Sequence, residues 1–478
     1  MFRITLLVIC FFAYLVDGET QRVTVSKEMK IRNDKAYDIL GKIENNILIY
    51  RDLGKERIVE VFDGELEFLF RKELQLKENR LDIYTIIPQD TSFTILYGYR
   101  KKKLYYLRAL KYDQNVNLID STTLLNGIAD FKIKFFKFKV SQDRSKTLLF
   151  AGRKDNLFYT YVIDNNTLDL LWTKESKIYD LDVRKDFKKV CISNKGKVFT
   201  LFDVDNIYRD RDNHHLVLYG LDKKEGFFEQ KFFFDNKITI DLEMDIDNQN
   251  QRLILGGLLS EESEKDATSF FYVTIPFSQL EDEMTIESKE FEISFLENLY
   301  GKKLSKKKRL NNFITKDIVL RGDGGFLLIA EMNKEYYRRS AFNGRTRMSG
   351  NQSGGRGWLD IYNEDLIVFS FNPNGTEYWK KVLYKKQFSQ DDDGVFSSYF
   401  LFKTPSRLRL IYNDEIKRNN TVSEYVIDPM GNTERNSLLN TDYQNLKLRF
   451  RDGVQISSSA FLVPSERNFK LSLVKIEY

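Results

Sequence analysis

The sequence predicts an all-β fold, a β-propeller whose four-stranded blades close into a ring. Three observations lead to this prediction: a turn motif that recurs roughly every fifty residues, short apolar runs that precede each turn, and almost no helical periodicity. Repeats of about that length with four strands each are typical of propellers. We expect eight blades, or seven if one degenerate period is a decoration. A two-domain β-sandwich is the broader alternative.

The recurring turn places an Asp or Asn directly after an apolar strand and before another strand-like run. The segment FNPNGTEYW, which begins at Phe371, has Asn, Pro and Gly in the order that type I turns favour, and IDPMGNTE at Ile427 is a near copy. A degenerate member lies around Pro276. The anchors of the turn are Asp63, Asp113, Asp164, Asp222, Asn372 and Asp428. With strands named a to d along each blade, this turn connects c to d.

The two ends of the chain predict how the ring closes. One period after Asp428 the chain ends, so the last blade has strands a to c and lacks d. Residues 21–31, QRVTVSKEMKI, form a spare strand before the first complete blade. Pairing this strand with the C-terminal one would remove an open sheet edge, which otherwise invites aggregation. We therefore expect the termini to share a sheet.

The apolar run LILGG at Leu253 echoes the double glycine of Kelch repeats. At this level the chain resembles the Kelch and WD40 types of repeat over nearly its whole length. No blade carries a Trp-Asp signature, and the double glycine does not recur in register. The chain looks most like the uncharacterised propeller proteins that bacteria secrete. That resemblance implies a fold and a compartment, and no activity.

The N-terminus predicts secretion. Residues 4–16 are mostly apolar, one Arg precedes them, and Gly18 follows, which is the pattern of a signal peptide cleaved near Gly18. A membrane anchor is the alternative, but the run is shorter than the roughly 20 residues that span a bilayer. We expect residues 1–18 to be the signal peptide, residues 19–478 to be one propeller, and the location to be secreted, periplasmic or cell-surface. Only Cys191 survives cleavage, as a buried thiol.

Charge limits the class of partner. The chain has 75 Lys and Arg against 70 Asp and Glu, a net charge of +5. Because nucleic-acid binders usually show a basic excess, we expect no nucleic-acid partner. No later segment is apolar enough to cross a membrane. We expect a monomer whose candidate ligands are a glycan, an anionic polymer or a protein.

The long insertions should lie on one face of the ring. In a four-stranded meander the a–b and c–d turns lie at one end, and the b–c and d–a connections lie at the other. Long connections on a rigid scaffold are where binding residues usually occur. The insertions are residues 203–215, 259–268, 296–312, 333–358 and 386–394, all of the b–c or d–a type.

Residues 333–358 form the most suggestive insertion. Guanidinium groups bind anions in a bidentate manner, and aromatic rings stack on cations and flat ligand faces. This mixture predicts a site for an anionic or glycan-like ligand, and the alternative is a loop kept soluble by its charges. The candidate residues are Arg338, Arg339, Arg345, Arg347 and Arg356 with Tyr336, Tyr337, Phe342 and Trp358.

Adjacent carboxylates provide a candidate calcium site. Asp391, Asp392 and Asp393 precede an inner strand and should stand near the channel mouth. Carboxylate oxygens are the ligands that calcium prefers, and the alternative is a turn that caps strand ends. The residues at 203, 205, 210 and 212 form a second oxygen-rich candidate. We expect no other cofactor.

Two further motifs have structural interpretations. The basic run at residues 302–309 follows a short helical pattern and should neutralise the acidic b–c loop that contains Glu261, Glu262, Glu264 and Asp266. The tripeptide Arg-Gly-Asp at residues 321–323 spells an adhesion motif, but the two glycines after it predict an a–b hairpin turn.

Catalytic motifs are scarce. The two histidines, His214 and His215, are adjacent and should point to opposite sides of a strand. No triad, zinc or phosphate-loop spacing is present. The first hypothesis is a non-enzymatic extracytoplasmic binding or scaffold propeller that uses the face with the long loops. The alternative is a carbohydrate-active hydrolase or lyase with carboxylates at the channel mouth.

Overall fold

The computed structural model describes residues 21–76, 78, 80–129, 133–153, 156–223, 226–278, 283–286, 288–304, 309–338, 358–414, 416, 421–440 and 445–478. Within these residues the strands form eight antiparallel blades arranged in a ring, and two short strands form a ladder apart from them. The protein is a β-propeller of eight blades, as the repeat predicted. The proposed signal peptide lies outside the described residues. No helix in the described part of the chain is long and apolar enough to cross a membrane.

Blades 1 to 3 are plain four-stranded meanders. The strands of blade 1 are Ala36–Ile43, Asn46–Asp52, Arg57–Phe62 and Phe68–Glu73. Those of blade 2 are Leu81–Pro88, Ser92–Lys101, Leu104–Asp113 and Leu118–Ala129. Those of blade 3 are Ile133–Val140, Lys146–Arg153, Leu157–Asp164 and Leu170–Lys177.

Blades 4 and 5 carry additions. Blade 4 consists of Phe187–Ile192, Val198–Val204, His215–Asp222 and Gly226–Phe233, with Glu283–Thr285 added in parallel at its outer edge. A 3₁₀ helix, Tyr208–Asn213, lies in its b–c connection. Blade 5 consists of Ile238–Asp247, Arg252–Ser260, Ser269–Pro276 and the two-residue strand Lys289–Glu290. The helix Ile293–Tyr300 follows it.

Blades 6 and 7 follow this helix. Blade 6 consists of Phe313–Leu320, Phe326–Arg338, Trp358–Phe371 and Glu377–Leu383, and a short strand, Gln387–Gln390, pairs with its third strand. Blade 7 consists of Phe400–Lys403, Leu408–Asn413, Thr421–Ile427 and Thr433–Asn440. Asp266–Ala267 and Leu310–Asn311 form a separate two-stranded ladder.

Blade 8 closes the ring. Its strands a to c are Val454–Gln455, Ala460–Arg467 and Lys470–Glu477, preceded by the 3₁₀ helix Phe450–Asp452. The N-terminal strand Arg22–Val25 supplies strand d, and Met29–Lys30 extends it. Arg22 lies opposite Glu477, which is the shared sheet that the sequence predicted.

The core lies between blades. Both faces of each sheet pack against a neighbour, so the central strands are apolar along most of their length and do not alternate with polar residues. Val59 and Val61 of blade 1, for example, pack with Phe93, Ile95 and Tyr112 of blade 2. Cys191 belongs to such a layer, and burial raises the pKa of its thiol. It is an inert core residue, as the sequence indicated.

Candidate functional site

The b–c and d–a connections meet at one end of the ring, which we call the loop face. The Arg211 guanidinium of blade 4 donates to the Glu261 carbonyl oxygen of blade 5 at 2.5 Å. The Lys237 ammonium lies 3.0 Å from the Glu261 carboxylate. The Asn333 amide of blade 6 donates to the Asn312 carbonyl oxygen at 2.8 Å. The loop face above blades 4 to 6 is therefore one contiguous surface.

The predicted charge neutralisation is present on this surface. Arg309 Nη1 lies 3.2 Å from Glu262 and 3.3 Å from Asp266. The basic run begins just after the helix Ile293–Tyr300, and residues 305–308 lie outside the described residues. Arg309 thus joins the d–a connection of blade 5 to that blade's own b–c loop.

The insertion at residues 333–358 is a β-hairpin at its two ends. Residues 333–338 continue strand b of blade 6 and pair with residues 358–363 of strand c, ending with Arg338 opposite Trp358. We call these two segments the blade 6 hairpin. The sequence predicted a loop here, because the segment is rich in Arg, Tyr, Gly and Ser. In the structure, cross-strand pairing at the two ends of the segment extends the sheet of blade 6 instead. Arg339, Phe342, Arg345, Arg347 and Arg356 lie outside the described residues.

The pairing register divides the described candidates between the two sides of the hairpin. Tyr336, Arg338 and Trp358 share one side, and Tyr337 points to the other. The exposed fractions are 45% for Tyr336 and Trp358 and 67% for Tyr337. Arg338 forms an ion pair with the buried carboxylate of Asp360, so its charge is already compensated.

Aromatic contacts order the side that carries Tyr336. Its ring lies 6.0 Å from that of Tyr362, edge to face, and Tyr362 lies 5.0 Å from Phe388. The Lys334 ammonium lies 4.5 Å from the centre of the Tyr336 ring. Such contacts fix the rings at small entropic cost. No sequence pattern indicates Tyr362 or Phe388, because their proximity depends on the extra strand Gln387–Gln390.

A fully buried ion pair fixes the base of the hairpin. The side chains of Glu331 and Lys385 are both 0% exposed, and Lys385 Nζ lies 2.7 Å from Glu331 Oε1. The Ser398 hydroxyl donates to Glu331 Oε2 at 2.7 Å, and Lys316 Nζ lies 3.5 Å from the same atom. Burial alone raises the pKa of Glu331, but the two ammonium groups and the hydrogen bonds outweigh it and hold that pKa below its ordinary value. Glu331 therefore stays ionised.

The three aspartates of the candidate calcium site serve different local contacts. Asp391 Oδ1 accepts the Leu359 amide at 2.9 Å, which ties it to the hairpin. Asp392 Oδ1 accepts the Gly394 amide at 3.0 Å. The backbone carbonyl of Asp393, not its carboxylate, accepts from Arg451. Among the described residues, no three or more Asp, Glu, His or Cys side chains form a group that could hold a metal ion.

The histidine pair is divided between two environments. His214 is buried against Phe234, and His215 stacks on Phe233. His214 Nδ1 lies 2.6 Å from the Lys237 carbonyl oxygen, and Nε2 lies 2.9 Å from Asp203 Oδ1. Both ring nitrogens therefore face acceptors inside the protein, and the ring is engaged within the fold.

Asp203 is the other half of this buried pair. Thr239 donates to its carboxylate at 2.8 Å, and Lys188 Nζ lies 3.0 Å away. Burial raises the pKa of Asp203, but the His214 hydrogen bond and the Lys188 charge outweigh this and keep it below its ordinary value. The pair fastens the start of the blade 4 b–c connection to blade 5, and Asp203 is a structural residue.

Carboxylates also line the central channel. Asp241, Glu243 and Asp245 lie on one side of the inner strand of blade 5, alternating with buried apolar residues. Lys189 of blade 4 lies 2.6 Å from Glu243. The cations that act on Asp245 are Lys403 of blade 7 and Lys139 of blade 3, on opposite sides of blade 5 in the ring. We call these three residues the channel carboxylates.

Burial raises the pKa of all three channel carboxylates above their ordinary values, and nearby lysines offset the rise only in part. Carboxyl groups with raised pKa values are typical of general acids. None of these residues was among the candidates predicted from the sequence. The signal that could have found them is the alternation of acidic and apolar residues in DLEMDID, on a strand next to the ring axis.

The opposite end of the ring carries the a–b and c–d turns, and we call it the turn face. Residues 321–323 form the a–b turn of blade 6, in which Gly324 N donates to the Arg321 carbonyl oxygen at 3.1 Å. Asp323 Oδ1 accepts the Gly325 amide at 2.9 Å, and its carboxylate contacts Arg321. The adhesion tripeptide is a hairpin turn, as the glycines predicted.

The protein is a β-propeller. It has eight radial blades, and the two ends of the chain share the last one. No family model and no curated protein matches the chain. Among solved structures it is similar to the Dos1 propeller, at 11% identity over 95% of this chain and 94% of that chain, with a TM-score of 0.45. It is similar to the WD40 domain of SCAP from fission yeast, at 7% identity over 96% and 98%, with a TM-score of 0.41.

A third similar structure is the β-propeller domain of the Trilobed protease from Pyrococcus furiosus, at 9% identity over 88% of this chain and 96% of that chain, with a TM-score of 0.35. At these values the class assignment depends on the strand pairing of this chain itself.

Proposed function

We propose that this protein is an extracytoplasmic binding or scaffold propeller that holds a glycan on its loop face, on the Tyr336 side of the blade 6 hairpin. One observation carries the proposal. Exposed Tyr336 and Trp358 share a side of a hairpin whose base is fixed by the buried pair Glu331 and Lys385. A rigid site with exposed rings loses little entropy on binding.

The charges of the hairpin favour a glycan over a polyanion. Arg338 is neutralised by Asp360, which leaves the Lys334 ammonium beside the Tyr336 ring, so the Tyr336 side offers flat rings and a single cation in place of a cationic strip. Sugar rings present an apolar face that packs on aromatic side chains and hydroxyl groups that pair with polar neighbours. Tyrosine and tryptophan are also the residues that most often dominate binding energy.

A glycan array with the mature chain tests this proposal. We expect the double variant Tyr336→Ala/Trp358→Ala to weaken binding more than about tenfold, since such residues contribute about 2 kcal/mol or more each. Tyr337→Ala is the matched control on the other side of the hairpin and should bind as the unchanged protein does. Equal loss in both variants, or binding only to sulfated polymers with strong salt dependence, contradicts the proposal.

The location and the calcium site remain parts of the same proposal. N-terminal sequencing of the secreted protein should give a start within a few residues of Glu19. If residues 391–393 hold calcium, millimolar calcium should raise the thermal midpoint of the protein, and Asp392→Asn should remove that rise. An unchanged midpoint would reject the calcium site and leave the glycan site untouched.

The channel carboxylates favour a second candidate function, polysaccharide hydrolysis. The Cα atoms of residues two apart on a strand are separated by roughly 7 Å, a spacing that allows their carboxyl groups to adopt the ~6.5–9.5 Å separation used by inverting glycosidases. A reducing-sugar assay over a polysaccharide panel tests it, with Glu243→Gln as the decisive variant. If the unchanged protein releases no sugar, or if Glu243→Gln releases as much, this second function is wrong.

A further inference from the structure

A groove opens on the turn face between blades 6 and 7. Its cavity volume is about 360 Å³, at the lower end of the ~300–1,000 Å³ of small-ligand pockets. Three turns form its walls, at residues 321–323, 403–407 and 428–429. The groove lies at the opposite end of the ring from the loop face, and its Lys403 is also one of the two cations that act on Asp245 in the channel.

The floor of the groove is apolar and its wall is rigid. Val319, Leu327, Leu408 and Ile427 line the floor and are buried. The Trp379 indole forms the wall, and its Nε1–H donates to the Pro429 carbonyl oxygen at 3.2 Å. A side chain at position 431 would meet this ring, because a Cβ on Gly431 would lie 2.6 Å from it. The indole is therefore held in one position.

Apolar side chains continue from the groove to the surface. Met430 is 66% exposed, and Tyr378 is 40% exposed with its hydroxyl donating to Met430 Sδ at 3.1 Å. Pro405 and Pro429 are exposed on the two sides of the opening. Aromatic residues, methionine and arginine are the types that protein interfaces favour.

The groove carries a small positive net charge: its lining holds three cations, Arg321, Lys403 and Arg407, against two carboxylates, Asp323 and Asp428. Arg321 is engaged by Asp323 and by the Ser370 hydroxyl at 2.9 Å. Asp428 accepts the Asn432 amide and side chain, both at 2.8 Å, within its own turn. Lys403 and Arg407 are exposed and form no ion pair with any residue in the described part of the chain. A ligand with carboxylates next to an apolar group would match this arrangement.

We propose that the groove docks an acidic peptide segment of a partner protein. One apolar side chain of the segment enters the groove beside Trp379, and flanking Asp or Glu carboxylates pair with Lys403 and Arg407. The volume suits one large apolar side chain with its neighbouring backbone. Because this site faces away from the loop face, the protein would hold a peptide at one end of the ring while the other end stays open.

Capped seven-residue peptides test the charge requirement. The probes carry a central Leu, Met or Phe flanked by Glu, and matched sets carry Gln or Lys in place of Glu. Fluorescence polarisation with the full mature chain should show binding in the order Glu, Gln, Lys. Equal binding of the three sets, or no binding of any Glu peptide, overturns the proposal.

Variants then locate the site. Lys403→Gln/Arg407→Gln should weaken the Glu peptides about tenfold, the usual worth of a lost charged hydrogen bond. Arg71→Gln/Lys101→Gln removes the same charge from exposed positions on blades 1 and 2 and should leave binding unchanged. Equal effects of the two double variants would mean non-specific attraction. Tyr336→Ala/Trp358→Ala should leave peptide binding intact, which separates this site from the glycan site.

Discussion

The two ends of the ring are built from different kinds of contact. On the turn face, short connections are closed by their own side chains, as Asp113 shows by accepting the amides of Asn115 and Asn117 at 2.9 and 2.8 Å. On the loop face, connections are held by buried contacts between residues far apart in sequence, such as Glu331 with Lys385 and Asp203 with Thr239. Local bonds give uniform turns, and long-range pairs give a surface that can differ from blade to blade.

The buried pair of the loop face should produce the largest loss when it is broken. We expect Lys385→Ala to reduce the free energy of unfolding by about 3 kcal/mol, because Glu331 is left buried without its nearest cation. Denaturant unfolding measures this loss. Lys386→Ala, at the exposed neighbouring position, is the matched control and should stay within about 0.5 kcal/mol of the unchanged protein.

The stabilisation by Glu331 and Lys385 should also depend on pH, and the pKa of Glu331 fixes the direction of this dependence. The pKa of Glu331 is below its ordinary value of 4.5 in the folded protein, so the pair stabilises above that pH and is lost as pH falls through the folded-state pKa. The difference between Lys385→Ala and the unchanged protein should shrink in that acid range. If Lys385→Ala costs no more than Lys386→Ala, the contrast between the two faces is wrong.

A turn-face substitution should produce a smaller, local effect. Asp113→Ala removes the acceptor for two backbone amides and should cost about 1–2 kcal/mol. Asp113→Asn keeps one acceptor oxygen and should cost less, and Asp169→Ala changes an exposed aspartate of blade 3 as the control. Thermal or denaturant unfolding ranks the three variants. An Asp113→Ala loss as large as that of Lys385→Ala would remove the distinction between local and long-range closure.

The smallest expected change in stability comes from a channel residue, Asp245, which lies between the two faces of the ring. Burial raises the pKa of Asp245, so its protonated form favours the fold, and stability falls as pH rises from its ordinary value of 3.8 through the folded-state pKa. Asp245→Asn should therefore be more stable than the unchanged protein at pH 8, and the gain should vanish in acid. A gain that is equal at all pH values would mean that the charge of Asp245 plays no part.

The turns of the turn face were predictable because each one depends on residues within a few positions of one another in the sequence. Asn372, Pro373 and Gly375 predict their turn from local preferences alone. Gly375 adopts the left-handed conformation that this turn needs, with φ 81°. The candidate site was predictable only in part. Tyr336 and Trp358 were found from composition, but their shared side depends on register, and the contact of Tyr362 with Phe388 depends on an extra strand.

The sequence by itself determined the eight repeats, the shared terminal blade and the end of the ring at which the long connections lie. Those features follow from apolar periodicity and turn chemistry, which act over a few residues. Only the tertiary structure decided that Lys385 neutralises Glu331, that Asp245 faces the channel and that a groove opens beside Trp379. Each depends on which blades become neighbours when the ring closes, and no short stretch of sequence contains that information.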